Sequence, residues 1–208
     1  MVNQEFERVV AISNKGVVGK TDYDLFTKQT ADVFVRNDTA YCNAGNGLFI
    51  VSFVGTPTLL GSITSYPDIG YNHSGWLSED GNTYVMGDET WGKKMKILDV
   101  SDLSNIQFLD TVGISGDNHA IIHNQIIKGN YAYVAYYYNG VYIYDISNPS
   151  NPILVGYYDT STEINYRSYR GAWGIYPFLP SGVLLVSDMQ EGLFVMDVSQ
   201  ATSIENLN

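Results

Sequence analysis

Two histidines and a pair of adjacent carboxylates are the side chains of this sequence best suited to chemistry. His73 and His123 lie fifty residues apart, and Asp88 and Glu89 lie between them. Because imidazole nitrogens and carboxylate oxygens both bind divalent metal ions, these four residues are candidate metal ligands. A structural role is the alternative: the histidines would hydrogen-bond the backbone of a neighbouring element, and the aspartate would cap a turn.

No familiar catalytic motif accompanies these residues. The sequence contains no Gly-x-Ser-x-Gly nucleophile elbow, no Gly-x-Gly-x-x-Gly loop and no phosphate-binding loop followed by Lys-Ser or Lys-Thr. Nucleophilic catalysis therefore has no support in the sequence. We predict no cofactor, with a divalent metal ion as the alternative.

The elements that would position these residues are short strands arranged in a repeat. Residues 122–160 contain four segments rich in β-branched and aromatic residues, separated by turn signals such as Gly129-Asn130 and Asn139-Gly140. The third segment, from Val141 to Asp145, is apolar or aromatic up to its last residue, which is typical of a strand covered on both faces. This sheet therefore needs a neighbour on each side.

Copies of the same unit can provide these neighbours. Four six-residue segments align without gaps, and their last residues, Ser52, Asp99, Asp145 and Asp197, lie 47, 46 and 52 residues apart. A period of this size with four strands per copy is typical of a β-propeller, in which sheets called blades stack around an axis. We predict a single all-β domain over 1–208, a β-propeller of about four four-stranded antiparallel blades. The predicted blades lie roughly at 31–64, 73–112, 122–158 and 171–198, with 3–12 added to the last.

The two ends of the sequence leave alternatives for the ring. Residues 3–12 resemble the outer strand of a repeat, and the last repeat stops after its third strand near Val198. The N-terminal strand could complete the last blade and close a ring of four blades. In the rival interpretation, the chain is part of a larger propeller.

Propeller geometry predicts where the candidate residues meet. The first strand of each blade starts at one mouth of the central channel, and the second strand returns to that mouth. Residues at these strand ends should therefore converge on a binding site. The predicted site comprises His73, Trp76, Asp88, Glu89, His123, Asn124, Tyr136, Trp173, Tyr176 and Asp188.

Aromatic residues are the second informative feature. The chain contains 17 Tyr, 8 Phe and 3 Trp, and most of those in strands are expected to pack between blades. Residues in loops and turns, such as Trp91, Tyr137 and Tyr169, are better candidates for a binding face. A rigid ring with a polar tip contacts a protein or a glycan at low entropic cost.

Composition excludes several classes of partner. The 22 acidic and 11 basic residues give a net charge of -11, which repels phosphate backbones, so nucleic acid is not an expected partner. The single cysteine, Cys42, cannot form an internal disulfide. No apolar run is long enough to span a membrane, and the first ten residues are too polar for a signal peptide. The protein is therefore either cytoplasmic or shown without its leader.

Several segments carry a family resemblance. Residues 140–152, Gly-Val-Tyr-Ile-Tyr-Asp-Ile-Ser-Asn-Pro-Ser-Asn-Pro, resemble the LVIVD repeat of bacterial and archaeal surface propellers. A larger ordered set resembles the carboxy-terminal half of choice-of-anchor B family proteins. That set comprises 73–80, 87–89, 123–124, 128–130, 171–173, 176–177, 187–188 and 192–194. The resemblance implies export and attachment to the cell surface, without an established activity.

The chain also departs from that family. Family members are considerably longer, and Ala31 and Ile122 stand where they often have a histidine and an aspartate. A metal site built from those two positions would lack ligands here. The tail 202–208 resembles the linker before a type IX secretion sorting domain of Bacteroidetes.

Together these observations predict a secreted or cell-surface binding module, not an enzyme, that recognises protein or glycan through loops at one mouth. The first alternative is a metal-assisted hydrolase or lyase that uses His73, Asp88, Glu89 and His123. The second alternative is a structural subunit of a surface assembly.

Overall fold

In the described part of the chain, almost all of the regular secondary structure is β-strand. The computed structural model describes residues 12–13, 16–17, 30–45, 47–164 and 166–203. Within these residues the helices are two short turns, a 3-10 turn at Leu103–Asn105 and α1 at Ser199–Thr202. Neither of them has the length or the apolar character needed to cross a lipid bilayer.

The strands form one short hairpin and four antiparallel sheets that follow one another in the chain. The hairpin contains β1 (Ile12–Ser13) and β2 (Gly16–Val17). Sheet 1 contains β3 (Thr30–Arg36), β4 (Thr39–Ala44), β5 (Gly47–Ser52) and β6 (Thr58–Ile63). Sheet 2 contains β7 (Asn72–Leu77), β8 (Thr83–Asp88), β9 (Met95–Asp99) and β10 (Gln107–Val112). Sheet 3 contains β11 (Asn124–Lys128), β12 (Tyr131–Ala135), β13 (Val141–Asp145) and β14 (Ile153–Tyr158). Sheet 4 contains β15 (Ala172–Tyr176), β16 (Leu184–Asp188) and β17 (Gly192–Met196).

The predicted repeat is confirmed as a series of sheets. In sheet 3 the third strand has its predicted bounds, Val141 to Asp145. Sheets 1, 2 and 3 have four strands each, and sheet 4 has three among the described residues. The strand predicted at 3–12 to complete the last blade lies outside the described residues except for Ile12, which pairs with Val17.

Burial depends on the position of a strand within its sheet. All six residues of β8 are buried, and so are the first five of β5. The outer strand β6 instead alternates between exposed and half-buried residues. The inner strands are thus covered on both faces by neighbouring sheets, as their continuous apolar sequences predict.

The sheets pack face to face in chain order. Their first strands lie beside one another in the order β3, β7, β11 and β15. An apolar cluster fills each of the three interfaces. These clusters include Tyr41, Ile50 and Leu98 between sheets 1 and 2, Val85, Ile97 and Val134 between sheets 2 and 3, and Ile143, Leu184 and Val186 between sheets 3 and 4.

At two of these interfaces, a positively charged residue at the end of a first strand donates hydrogen bonds to the next sheet. Arg36, the last residue of β3, donates to the carbonyl oxygens of Ser78 at 2.7 Å and Leu77 at 3.3 Å in sheet 2. Lys128, the last residue of β11, donates in the same way to the Pro177 carbonyl oxygen at 2.7 Å, beside sheet 4. These bonds join equivalent ends of neighbouring sheets.

Candidate functional site

Bulges at the starts of the first strands aim one side chain per sheet at the same end of the stack. The pairing register shifts by one residue at Ala31 in β3, His73 in β7 and Trp173 in β15. A bulged residue leaves the ladder, and its side chain is redirected. In sheet 3 the corresponding residue, His123, immediately precedes β11, and its N–H donates to the Ala135 carbonyl oxygen at 2.9 Å.

Three of the predicted residues meet at this end and form what we call the triad: His73, Glu89 and His123. The rings of His73 and His123 lie 5.1 Å apart between centroids. Nδ1 of His73 lies 3.4 Å from Oε2 of Glu89. One potential ligand atom from each of the three residues lies within 4.8 Å of the other two. The predicted convergence of strand starts and second-strand ends thus brings three residues from two sheets into one group.

His123 is held by the neighbouring sheet. Its Nδ1 lies 2.6 Å from the carbonyl oxygen of Trp173, and its ring stacks on the Trp173 indole with centroids 3.7 Å apart. Burial is the main reason why the pKa of His123 is lowered to about 4; the bond to the Trp173 carbonyl opposes this shift, and the nearby His73 adds to it. At neutral pH the ring is therefore uncharged. Because a carbonyl only accepts, Nδ1 carries the proton and Nε2 keeps its lone pair.

Glu89 is fixed by a tyrosine from sheet 3. The hydroxyl of Tyr137 donates to Oε1 of Glu89 at 2.5 Å, which leaves Oε2 directed at His73. Burial raises the pKa of the Tyr137 hydroxyl, and its bond to the Glu89 carboxylate raises it further. Tyr137 therefore remains a proton donor to Glu89 throughout the physiological range of pH.

Tyr137 has a backbone conformation that few side chains adopt. Its φ is 44°, in the left-handed region. Two hydrogen bonds hold it there, from its N–H to the Ala172 carbonyl oxygen at 3.0 Å and from the Ala172 N–H to its own carbonyl oxygen at 2.9 Å. A strained residue held by its surroundings is common at functional sites. Here the strain places the Tyr137 hydroxyl beside Glu89.

Aromatic rings surround the triad. Tyr71 lies 6.4 Å from His73, Tyr137 lies 5.4 Å from His123, and Tyr169 lies 5.6 Å from Tyr137, all between ring centroids. Trp91 completes the group, 5.0 Å from Tyr169. Tyr71 and Tyr169, together with the Trp173 ring that stacks on His123, remain open to solvent at 41%, 48% and 36% exposure, and we call these three the rim rings.

Other members of the predicted site lie elsewhere. The Asp88 carboxylate points away from the triad and into the sheet, where it pairs with Nζ of Lys96 at 3.0 Å with both side chains fully buried. It also accepts from the Tyr66 hydroxyl at 3.1 Å and the Gly70 N–H at 2.6 Å. Asp188 accepts from the Thr160 hydroxyl at 2.6 Å and from the N–H of Gln190 at 2.8 Å. Both aspartates therefore serve the fold.

The remaining predicted residues divide between core and edge. Tyr136 is fully buried in the cluster between sheets 2 and 3, so the site contains its neighbour Tyr137 instead. Trp76 packs between Phe34 at 4.9 Å and Phe178 at 5.9 Å, measured between ring centroids. Tyr176 is exposed beside Phe178. Asn124 is half-buried at the start of β11.

The donor set of the triad suits a transition metal. Two imidazoles and one carboxylate are ligands that Zn²⁺ and Fe²⁺ accept, whereas Ca²⁺ and Mg²⁺ prefer oxygen alone. The structure brings together three of the four metal candidates named from the sequence. The fourth, Asp88, forms an ion pair with Lys96 instead.

Comparisons with known proteins agree with this architecture. A sequence profile of the LVIVD repeat matches residues 124–160, the segment that contains sheet 3. Similar solved structures include the computationally designed Ika8 protein, with a TM-score of 0.56 and 13% identity over 82% of this chain and 46% of that one. The β-propeller domain of Cps50 (Swd1) from Myceliophteria thermophila has a TM-score of 0.62 and 12% identity over 83% of this chain and 53% of that one. The fold is a β-propeller.

A third propeller-like neighbour is the periplasmic gluconolactonase PpgL of Pseudomonas aeruginosa, with a TM-score of 0.62 and 13% identity over 83% of this chain and 51% of that one. This chain thus spans about half the length of each of the three. Among curated proteins, none matches it in sequence. At these identities the likeness shows a shared fold alone, and the propeller is a repeat protein with an LVIVD unit.

Proposed function

We propose that this propeller is a ligand-recognition module and that its binding face is the end that carries the triad. The observation that supports it most is the combination at one place of two partly exposed polar side chains, His73 and Glu89, and three aromatic rings left open to solvent. Tyr71, Tyr169 and Trp173 are each more than a third exposed although they adjoin a well-packed core. Open rings beside hydrogen-bonding groups are typical of recognition surfaces.

The chemistry of this face favours a neutral glycan. Ring faces pack on the apolar faces of sugars, and the carboxylate of Glu89 and the imidazole of His73 can bond sugar hydroxyls. The net charge of -11 disfavours a polyanionic ligand. A protein ligand, the other class that the sequence predicts, would use the same rings as anchors.

Tryptophan fluorescence tests this proposal directly. The chain has three tryptophans: Trp173 stacks on His123, Trp91 lies beside the rim ring of Tyr169, and Trp76 packs between sheets. Titration with a panel of neutral oligosaccharides should change the emission saturably, and Trp173→Ala should abolish the change. Tyr157→Ala, which removes a ring 69% exposed on the outer strand β14, is the matched control and should bind normally. Saturable binding that survives Trp173→Ala, or no binding at all, would reject the glycan proposal.

A metal-assisted hydrolase or lyase is the second candidate. The specific observation for it is that three ligands leave a fourth coordination position, where catalytic zinc sites hold water. Zinc-dependent hydrolysis of a nitrophenyl ester that is lost in His123→Asn would favour this candidate. Absence of turnover in the zinc-loaded protein would leave recognition as the better account.

Export, surface attachment and assembly with other surface subunits are further parts of the proposal. They rest on the resemblance to choice-of-anchor B proteins, whose members are displayed on cells. Fractionation of the native host, with an antibody against the propeller, would test them. Detection in the cytoplasmic fraction alone would contradict surface display.

A further inference from the structure

We infer that His73, Glu89 and His123 form a mononuclear binding site for a transition metal ion of the Zn²⁺ type. The ligands would be Nε2 of His123, a ring nitrogen of His73 and Oε2 of Glu89. A fourth position would face the rim rings and remain available to water or to a ligand. This inference does not require that the protein bind a glycan.

Distances within the triad match a tetrahedral ion. Zinc bonds of about 2.0–2.1 Å to nitrogen and oxygen place neighbouring ligand atoms about 3.3 Å apart. Nδ1 of His73 and Oε2 of Glu89 lie 3.4 Å apart, and one potential ligand atom from each of the three residues lies within 4.8 Å of the other two. Small side-chain rotations of His73 and Glu89 would therefore complete the geometry, since both side chains are partly exposed, at 23% and 16%.

The residues behind the triad orient its ligands. The Trp173 carbonyl oxygen accepts from Nδ1 of His123 at 2.6 Å, so the remaining nitrogen, Nε2, is the one with a lone pair. Among the described residues, Nε2 has no hydrogen-bond partner. The Tyr137 hydroxyl binds Oε1 of Glu89 in a similar way. Metal-bound histidines and carboxylates are normally held by such outer partners.

A purely structural role explains these features less well. A His73–Glu89 ion pair accounts for two of the groups but gives no role to Nε2 of His123, for which the described residues provide no hydrogen-bond partner. The separation of 3.4 Å is also long for a charge-assisted hydrogen bond. A metal ion would satisfy all three groups at once.

Metal titration of the whole chain tests the inference. We expect one equivalent of Zn²⁺ by calorimetry, and Co²⁺ in its place should give the intense visible absorption of a tetrahedral centre. His123→Asn should abolish binding, because asparagine keeps a donor for the Trp173 carbonyl but lacks the Nε2 ligand. Glu89→Gln should abolish it as well. Tyr137→Phe should weaken binding about 10–100-fold, as expected for loss of an outer partner.

The third histidine supplies the control. His119 lies exposed in the loop before β11, and His119→Asn should bind metal with unchanged affinity. Unchanged circular dichroism would show that each variant is folded. Absence of stoichiometric metal in the folded wild-type chain would overturn the inference, as would equal binding by His123→Asn. Since no saccharide is present, failure here is distinct from failure of the recognition proposal.

Discussion

Nδ1 of His123 lies 2.6 Å from the main-chain carbonyl oxygen of Trp173, in the next sheet of the propeller. This bond links the entry to β11 with the bulge of β15, and the two rings stack directly beside it. One contact thus joins sheets 3 and 4, selects the tautomer of the imidazole and buries it. The stability of the propeller and the state of its candidate site are therefore coupled through His123.

This coupling predicts an acid-sensitive fold. The pKa of His123 is about 4 in the folded chain and about 6.5 when unfolded. The unfolded state therefore gains a proton that the folded state lacks, and the contribution to stability is fully present above pH 6.5 and lost as the pH falls through 4. The loss amounts to about 3 kcal/mol. Urea unfolding with a chelator present, at a series of pH values, measures it.

His123→Asn provides the matched comparison for this prediction. Asparagine does not titrate, so the difference in unfolding free energy between the wild type and the variant should shrink as the pH falls from 7 to 4. A difference that stays constant with pH would show that His123 is not buried in its neutral form.

The backbone of Gly171 should be essential to the site. Gly171 has a φ of 96°, and a Cβ at this position would lie 2.4 Å from the Tyr137 carbonyl oxygen, which accepts the Ala172 N–H. Gly182 also has a positive φ, 79°, but a Cβ there would meet no atom within 4 Å. Gly182→Ala should therefore cost only the backbone strain, about 1–2 kcal/mol, and Gly171→Ala clearly more. Thermal unfolding of both variants decides this, and equal losses would contradict the described approach of the two backbones.

The buried pair of Asp88 and Lys96 should matter far more than a surface pair. Lys96→Met would leave the Asp88 carboxylate buried without a positive partner, and we expect a loss of about 3–5 kcal/mol. Lys93→Met removes the partner of Asp68 from a pair at 2.6 Å that reaches solvent, and should cost less than about 1 kcal/mol. Chemical unfolding of the two variants measures both losses. A loss below about 1 kcal/mol for Lys96→Met would contradict the burial of this pair.

Repetition made the fold predictable from the sequence. The aligned third strands and their turn signals located four sheets, and the alternation of strand directions brought His73 and His123 to one end. The sequence named Asp88 beside Glu89 as a metal candidate, whereas the structure pairs Asp88 with Lys96. Adjacent residues at a strand end face opposite ways, so only Glu89 faces His73. Lys96 could have indicated this pairing. It stands where the other aligned segments have Phe49, Tyr142 and Phe194, and a lysine buried in such a strand needs a carboxylate partner.

The sequence predicted Tyr137 as a candidate for a binding face, but it did not predict that Tyr137, and not Tyr136, would contact Glu89. Tyr137 is the middle residue of a run of three tyrosines, and all three are buried. Which ring reaches Glu89 depends on the left-handed backbone of Tyr137 and on its two bonds to Ala172, and both arise from packing between sheets. The bulges at His73 and Trp173 likewise appear only once strands are paired.

Nitrogen-detected NMR of the histidine rings tests the central claim, that His123 is a buried neutral imidazole whose Nε2 carries no proton and can bind a metal ion. The chain has only three histidines, so each signal can be assigned with single variants. We predict that His123 stays neutral down to a pKa of about 4, carries its proton on Nδ1, and shifts at Nε2 on addition of one equivalent of Zn²⁺. A His123 signal that titrates near its ordinary value of 6.5, or that carries its proton on Nε2, would contradict the account.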